Sequence, residues 1–294
     1  MLIAQITDIH IGFDRGNPDE ANRRRLRALL DHLANGPNRP DLLLMTGDLT
    51  ESGDGESFAW LAEVVRDCPF PVWPMVGNHD DRAALHAAFP DTPQDGGFVQ
   101  YAVALDGLRL LLLDTLEPGR HGGAFCASRA AWLSAQLQAH PDTPTVIAMH
   151  HPPFVTGIDW MDPDPAEPWI AQFAEATGGH DQIQAVLCGH LHRPIVTRWN
   201  GATLVVGPSS APAISLDLRA IDPGHPDGRA LVRDEPPGYA LHRWDGRRLT
   251  THFESLGNLA ALARFDETMQ PMIRGMLAER GVILPKVCLN PRSS

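Results

Sequence analysis

Short apolar runs alternate with amphipathic stretches along most of the chain. Leu2-Ile3-Ala4-Gln5-Ile6 reads as a buried strand. Asn17-Pro18-Asp19-Glu20 then offers an N-cap, a proline at the first helical position and an acid three residues after the cap. Leu26, Leu29, Leu30 and Leu33 follow at helical spacing, while Arg23, Arg24, Arg25 and Arg27 fall mostly off that face and read as a solvated surface. The pattern continues with a strand at 41–46, a helix near 56–66, a strand at 72–76 and a short helix at 81–89. Residues 99–105 and 108–114 read as an antiparallel pair joined at Asp106-Gly107. A helix near 129–139 precedes a strand at 145–149, and a helix near 165–176 precedes a strand at 183–188. Two further pairs, 195–199 with 203–206 and 239–244 with 249–254, turn at Asn200-Gly201 and Asp245-Gly246. No internal repeat is visible.

Strand–helix alternation that gives way to hairpins predicts mixed sheets in an α/β fold. Within a main body of residues 1–254, the stretch 208–238 is rich in Pro, Gly and Asp and predicts a loop or small cap. Residues 255–294 look helical around 259–280 and irregular beyond. Leu259, Leu262, Phe265, Met269 and Met272 recur there at helical spacing, which predicts a tail that serves a partner subunit in a homodimer or higher homo-oligomer.

The bulk numbers narrow the partners. With 43% hydrophobic and 20% charged residues the 294-residue chain is composed like a globular protein. A net charge of −12 and no basic stripe argue against extended nucleic acid. A small anionic substrate stays open, because bound cations invert the local field. Cys68, Cys126, Cys188 and Cys288 are scattered, which disfavours a thiolate zinc site. The first apolar run stops at Asp8, too soon for a signal-peptide core, and no long uncharged apolar stretch suggests a membrane span. The expectation is a cytoplasmic protein with reduced thiols.

Five loops each follow an apolar strand closely, and each carries residues that ligate metals: Asp8-Ile9-His10, Gly47-Asp48, Gly77-Asn78-His79-Asp80, His150-His151 and Gly189-His190-Leu191-His192. Open α/β sheets bind ligands outside the carboxyl ends of their strands, so these loops are expected to converge on one crevice. Imidazole with carboxylate suits zinc, iron(II), manganese or cobalt and suits calcium poorly. Four imidazoles and three oxygen donors exceed what one tetrahedral ion uses, and two ions sharing a carboxylate would consume them. Two divalent ions less Asp8, Asp48 and one bridging hydroxide leave a single positive charge, which matches a phosphodiester monoanion.

The order DxH, GD, GNHD, HH, GHxH resembles the calcineurin-like metallophosphoesterase superfamily over roughly residues 2–193. Met149-His150-His151-Pro152-Pro153 with the downstream Met161-Asp162 resembles its bacterial branch of glycerophosphodiesterases and class III cyclic-nucleotide phosphodiesterases. The resemblance implies a four-layer αββα sandwich of two mixed sheets flanked by helices, with a two-metal centre. It implies that Asp8, His10 and His192 hold a first metal, that Asn78, His150 and His190 hold a second, and that Asp48 bridges both. His79 would sit beside the substrate phosphate as an acid or oxyanion stabiliser. The expected reaction is in-line attack of a metal-bound hydroxide on small phosphodiesters such as cyclic nucleotides or glycerophosphodiesters. A phosphomonoesterase or nuclease of the same superfamily is the enzyme alternative. A protein-binding scaffold is the non-enzyme one, although such a scaffold would have lost ligands that are all present here.

Other residues are read more plainly. His151 either orients His150 or packs in its loop, and Asp80 is expected as a turn or cap residue. Trp160, Met161 and Trp169 are expected in the core or lining the substrate pocket. Arg15 and Asn22 are expected to be solvent-exposed, and Cys188 to be core.

Overall fold

A computed structural model of the chain describes residues 1–257 and 260–280. The chain divides into two units, Met1–Leu256 and Gly257–Ser294.

In the first unit, one sheet has the order β13-β12-β1-β2-β3, built from β1 (Leu2–Ile6), β2 (Leu42–Thr46), β3 (Val72–Met75), β12 (Gly238–Trp244) and β13 (Leu249–Ser255). The other has the order β4-β5-β6-β7-β9-β8, from β4 (Tyr101–Leu105), β5 (Leu108–Leu112), β6 (Thr145–Ala148), β7 (Ile183–Cys188), β8 (Ile195–Trp199) and β9 (Ala202–Val206). Both are mixed. β1, β2 and β3 pair in parallel, as do β5, β6, β7 and β9, while hairpin partners add antiparallel edges. Parallel neighbours need a crossover, and α1 (Ala21–Asn35) and α2 (Gly55–Arg66) supply those in the first sheet.

The four layers follow from strand alternation. Leu110 and Leu112 of β5 join the apolar cluster that holds β1, β2 and the faces of α1 and α2. Leu111 and Leu113 turn the other way, into a cluster with Leu133 and Leu137 of α4 (Ala127–Ala139) and Phe173 of α5 (Pro168–Thr177). Each sheet is therefore covered on one face by the other sheet and on the opposite face by helices. Such burial on both faces is why β2 reads LLLMT and β5 reads LRLLL. Buried Gln5 links the sheets, donating from Nε2 to Thr46 Oγ1 at 2.9 Å in β2 and to the Cys188 carbonyl at 2.9 Å in β7.

Three local expectations differ from the structure. The first helix starts at Ala21, not at Pro18. Asn17 instead makes a turn, its Oδ1 accepting from Asp19 N at 2.9 Å. The Glu20 carboxylate, expected to close a capping box, is buried and accepts from Gly12 N and Asp14 N at 2.7 and 3.0 Å. The last hairpin is as expected at its strand ends: Trp244 pairs with Leu249, and in the loop between them Asp245 Oδ1 accepts from Arg247 N and Arg248 N.

The Pro/Gly-rich stretch is not all loop. Ser210 N and Ala211 N donate to the carbonyls of Thr7 and Asp8, both at 3.1 Å, so its beginning is built into the core. A two-stranded ribbon of β10 (Ala213–Ile214) and β11 (Val232–Arg233) follows. In the second unit the helix is shorter than expected: α6 (Gln270–Glu279) has no buried residue. Asp266 Oδ1 accepts from Thr268 N and Met269 N, and Pro271 opens the helix, so Leu262 and Phe265 precede it. Leu259 and Cys288 lie outside the described residues.

Candidate metal centre

The expected loops all leave the carboxyl ends of β1, β2, β3, β6 and β7, and their side chains meet in one crevice. His150 Nε2 lies 3.2 Å from Asp48 Oδ2 and 3.9 Å from Asp8 Oδ1. His192 Nε2 lies 3.5 Å from Asp8 Oδ1, and His10 Nε2 lies 3.7 Å from Asp48 Oδ2. Asp8, His10 and His192 bring one donor each within 4.8 Å of one another, and so do Asp8, Asp48 and His150.

The backbone is forced into this arrangement. Among the described residues, Asp8, His10, Asp48, His190, His192 and Asn200 are the non-glycine residues with positive φ, and Asn200 is explained by its hairpin turn. The other five carry the expected ligands. They are pinned by hydrogen bonds between loops: Ile9 N and His10 N both donate to the Asp48 carbonyl at 2.7 and 3.0 Å. His190 N donates to the Asp8 carboxylate at 3.0 Å, and His79 N to Asp48 Oδ1 at 2.9 Å. Two glycines are required by close approach: a Cβ on Gly77 would collide with the Asp48 carboxylate, and one on Gly189 with the Thr7 hydroxyl.

Hydrogen bonds fix which ring nitrogens are free. His150 Nδ1 donates to the Thr46 carbonyl at 2.9 Å, His192 Nδ1 to the Pro212 carbonyl at 2.9 Å and His10 Nδ1 to Glu51 Oε2 at 2.8 Å. In each neutral ring Nε2 is then a bare lone pair. His10 Nε2 and His192 Nε2 face each other at 3.2 Å, a contact that two lone pairs make only around a proton or a cation. Asn78 Oδ1 and His190 Nδ1 are buried with no hydrogen-bond partner, and buried His150 Nε2 faces only the Asp48 and Asp8 carboxylates. Buried ligand atoms of this kind in a carboxylate-lined crevice fit metal ions.

Charge is organised in the same sense. Burial pushes the Asp48 carboxyl up, but His150, His10 and His79 outweigh it and hold it well below the usual carboxylate range. Burial opposes a charge on His150, yet Asp48 and Asp8 raise it to about 9. Burial, followed by the neighbouring imidazoles, drives His190 and His151 well below the ordinary histidine value. Both are neutral and able to ligate.

A cavity of about 650 Å³ opens over the cluster. Phe13, Trp160, Met161, Ile214 and Val232 give it apolar walls, and among the described residues no Arg or Lys lines it.

The family model described as calcineurin-like phosphoesterase matches residues 1–194. The chain belongs to this family. A relative from Arcobacter nitrofigilis, named probable glycerophosphodiester phosphodiesterase GpdQ, is 30% identical over 87% of this phosphoesterase and 94% of its own length. A cAMP/cGMP dual specificity phosphodiesterase from Mycobacterium tuberculosis is 33% identical over 74% and 69% of the two chains. Among solved structures, a dimetal phosphatase from Danio rerio superposes with a TM-score of 0.62 at 14% identity, over 87% of this chain and 96% of that one, a likeness of fold.

The phosphoesterase brings all eight expected site residues to the crevice or its rim. His79 lines the cavity, its Nδ1 donating to the Glu51 carbonyl at 2.9 Å. Asn78 presents Nδ2 to His121 Nδ1 at 3.3 Å. His151 is buried behind His150, with Nδ1 at 2.7 Å from Thr115 Oγ1. Asp80 is a buried turn brace that accepts from Gly77 N, Leu49 N and Thr50 N, whereas Asp81 caps α3 (Arg82–Ala88). Trp169 and Cys188 are core, and Trp160 and Met161 line the cavity. Arg15 is at the surface on Ser52.

One expectation is corrected. Asn22 is buried, and its Nδ2 donates to the His10 carbonyl at 2.9 Å. Two residues were missed. Glu51 holds His10, and His121 lies tilted against His190 with ring centroids 4.7 Å apart. Glu51 could have been noticed as the acid just past Asp48. His121 lies too far beyond its strand for the strand-end pattern to single it out.

Proposed function

We propose that the chain is a binuclear-metal phosphodiesterase acting on small phosphodiesters. The observation that carries this reading is a crevice of ligand atoms with no ordinary partner: buried Asn78 Oδ1 and His190 Nδ1, His150 Nε2 against Asp48 and Asp8, and the facing Nε2 atoms of His10 and His192. In this reading Asp8, His10 and His192 hold the first ion, Asn78, His150 and His190 the second, and Asp48 both. Manganese, iron, zinc and cobalt suit these donors. Two such ions supply a nucleophile from water at neutral pH and neutralise charge on the phosphoryl oxygens.

The chain's own groups do the rest. Because the His79 Nδ1–H is donated to the Glu51 carbonyl, Nε2 is the atom left for substrate. It accepts a hydrogen bond when the ring is neutral and delivers a proton to a leaving oxygen only as the imidazolium. With no Arg or Lys among the described residues of the lining, the only cationic help beside the metals is imidazole, which favours a singly charged diester over a dianionic monoester. The names of the relatives point the same way, towards glycerophosphodiesters or cyclic nucleotides.

Residues 1–254 form the catalytic part in this reading, and the exposed Leu262, Phe265, Met272 and Met276 support a tail that joins copies into a dimer or higher oligomer. No helix among the described residues is long and apolar enough to cross a membrane. Few, scattered cysteines support a cytoplasmic place. The deciding experiment reconstitutes metal-depleted protein with each ion and compares kcat/KM for matched aryl diester and monoester, cyclic nucleotides and glycerophosphodiesters. A monoester preferred over its diester overturns the subclass.

A further inference from the structure

We infer that Glu51 is a positioning residue that fixes the ring orientation and tautomer of His10 through its carboxylate and of His79 through its main-chain carbonyl, and so sets the affinity of the first metal position. The inference rests on the binuclear reading.

One residue grips two rings from two loops. Glu51 Oε2 accepts from His10 Nδ1 at 2.8 Å, and the Glu51 carbonyl accepts from His79 Nδ1 at 2.9 Å. The rings meet edge to face at 4.7 Å. Glu51 is itself pinned: its N–H donates to the Ile11 carbonyl at 2.9 Å, and the preceding Thr50 is held by Asp80 through N and Oγ1. The carboxylate therefore reaches His10 from a fixed backbone, although its side chain is 30% exposed at the cavity.

The partner's chemistry matters. His150 and His192 give their Nδ1–H to neutral carbonyls, and of these three rings His10 alone uses a carboxylate. A carboxylate behind an imidazole locks the tautomer and raises the basicity of the nitrogen on the other side, here the Nε2 that faces Asp8, Asp48 and His192. Losing such a partner costs 10- to 100-fold in metal affinity as a typical range, roughly what Glu51→Ala should show at one of two equivalents. Glu51→Gln keeps an acceptor at the same place and should lose clearly less. The hydrogen bond to His79 runs through the main chain, so neither substitution removes it, while the carboxylate, 3.9 Å from His79 Nδ1, adds only a longer charge contact.

The test titrates metal-depleted wild type, Glu51→Ala and Glu51→Gln with manganese alone, following stoichiometry and affinity by calorimetry. Anomalous diffraction at limiting manganese then locates the position that is lost. The expected result is one weakened equivalent, at Asp8, His10 and His192, in the order Ala worse than Gln. With metal saturating, the ratio of rates on alkyl and nitrophenyl diesters should match wild type, because His79 keeps its partner. Two wild-type equivalents in Glu51→Ala overturn the inference, as does an equal loss in both variants. A wild type that takes up no metal would overturn the binuclear reading instead.

Discussion

Replacing Asp114 by alanine should unfold the first unit more readily than any single loss at its surface. Asp114 lies just past β5, is fully buried, and its carboxylate accepts four hydrogen bonds. Arg82 donates two of them in a fork, from Nε at 2.6 Å and Nη2 at 2.7 Å, and the amides of Val99 and Leu116 donate the others at 2.9 and 3.0 Å. Arg129, also buried, lies 3.6 Å from Oδ1. Removing the carboxylate leaves two guanidinium groups and two buried amides without it. Breaking a buried pair from one side costs about 3–5 kcal/mol, a large share of the roughly 5–15 kcal/mol that holds a domain together. At about 2–4 °C per kcal/mol for a chain of this size, the melting temperature should fall by roughly 6–20 °C. Arg82 opens α3 directly after the Asn78-His79-Asp80 loop, so the fork also ties that loop to the second sheet. Urea denaturation of wild type, Asp114→Ala, Arg82→Ala and the double variant gives the coupling energy. A loss below about 1 kcal/mol for Asp114→Ala, or additive losses in the double variant, would refute the reasoning, since groups sharing one network should couple by more than about 0.5 kcal/mol.

Other outcomes are expected at the metal centre and in the core. Asp48→Ala should abolish activity and most of the second metal, and elemental analysis with two full equivalents would remove its bridging role. His79→Ala should keep both metals and lose roughly 10²–10⁴-fold on alkyl diesters but less on nitrophenyl diesters, where the leaving oxygen hardly needs a proton; equal losses would end the general-acid role. Since Asp48 and Asp8 raise His150 to about 9, an ion binding at pH 7 must displace its proton. Affinity should fall about tenfold per pH unit below that value, and calorimetry in buffers of different ionisation enthalpy should detect proton release. Burial pushes His242 down to about 3, so the unfolded chain binds this proton and the folded one does not between that value and the ordinary 6.5. Stability from this group is complete above the ordinary value and falls by about 1.4 kcal/mol per pH unit towards about 3. His242→Asn should flatten that dependence by one proton in urea titrations run across the window.

Much of the centre was legible because ligand chemistry admits few residue types. Asp, Asn and His at five strand ends, in one order, leave little room for another reading, and short apolar runs locate the strands without the structure. What escaped was the support around them. Glu51 looks like any acid in a polar loop, and only the fold shows His10 and His79 on either side of it. Glu20 sits where a capping box would place it, but the carboxylate is taken by the Gly12 and Asp14 amides, a long-range demand that local propensity does not encode. Asn22 was legible after all. It precedes Leu26 by four residues and Leu29 by seven, so it lies on the buried stripe of α1, and its polarity concealed a periodicity that places it under His10.

The paired motifs explain the strain at the centre. In a regular strand, residues two apart point to the same face but stand about 6.6 Å from each other, too far to serve one ion comfortably. Asp8 with His10, and His190 with His192, adopt φ of 52°, 52°, 73° and 50° instead. Left-handed backbone curls each chain end on itself, and Asp8, His10 and His192 bring donors within 4.8 Å. Each such residue costs an L-amino acid roughly 1–2 kcal/mol. Five of them on neighbouring loops amount to a sizeable fraction of the stability of an ordinary domain. The apolar cluster between the sheets and the hydrogen bonds that cross from loop to loop must carry that load. The Asp48 carbonyl taking two amides, and the Asp8 carboxylate taking the His190 amide, are thus parts of one device: they hold the strained candidate ligands in one arrangement.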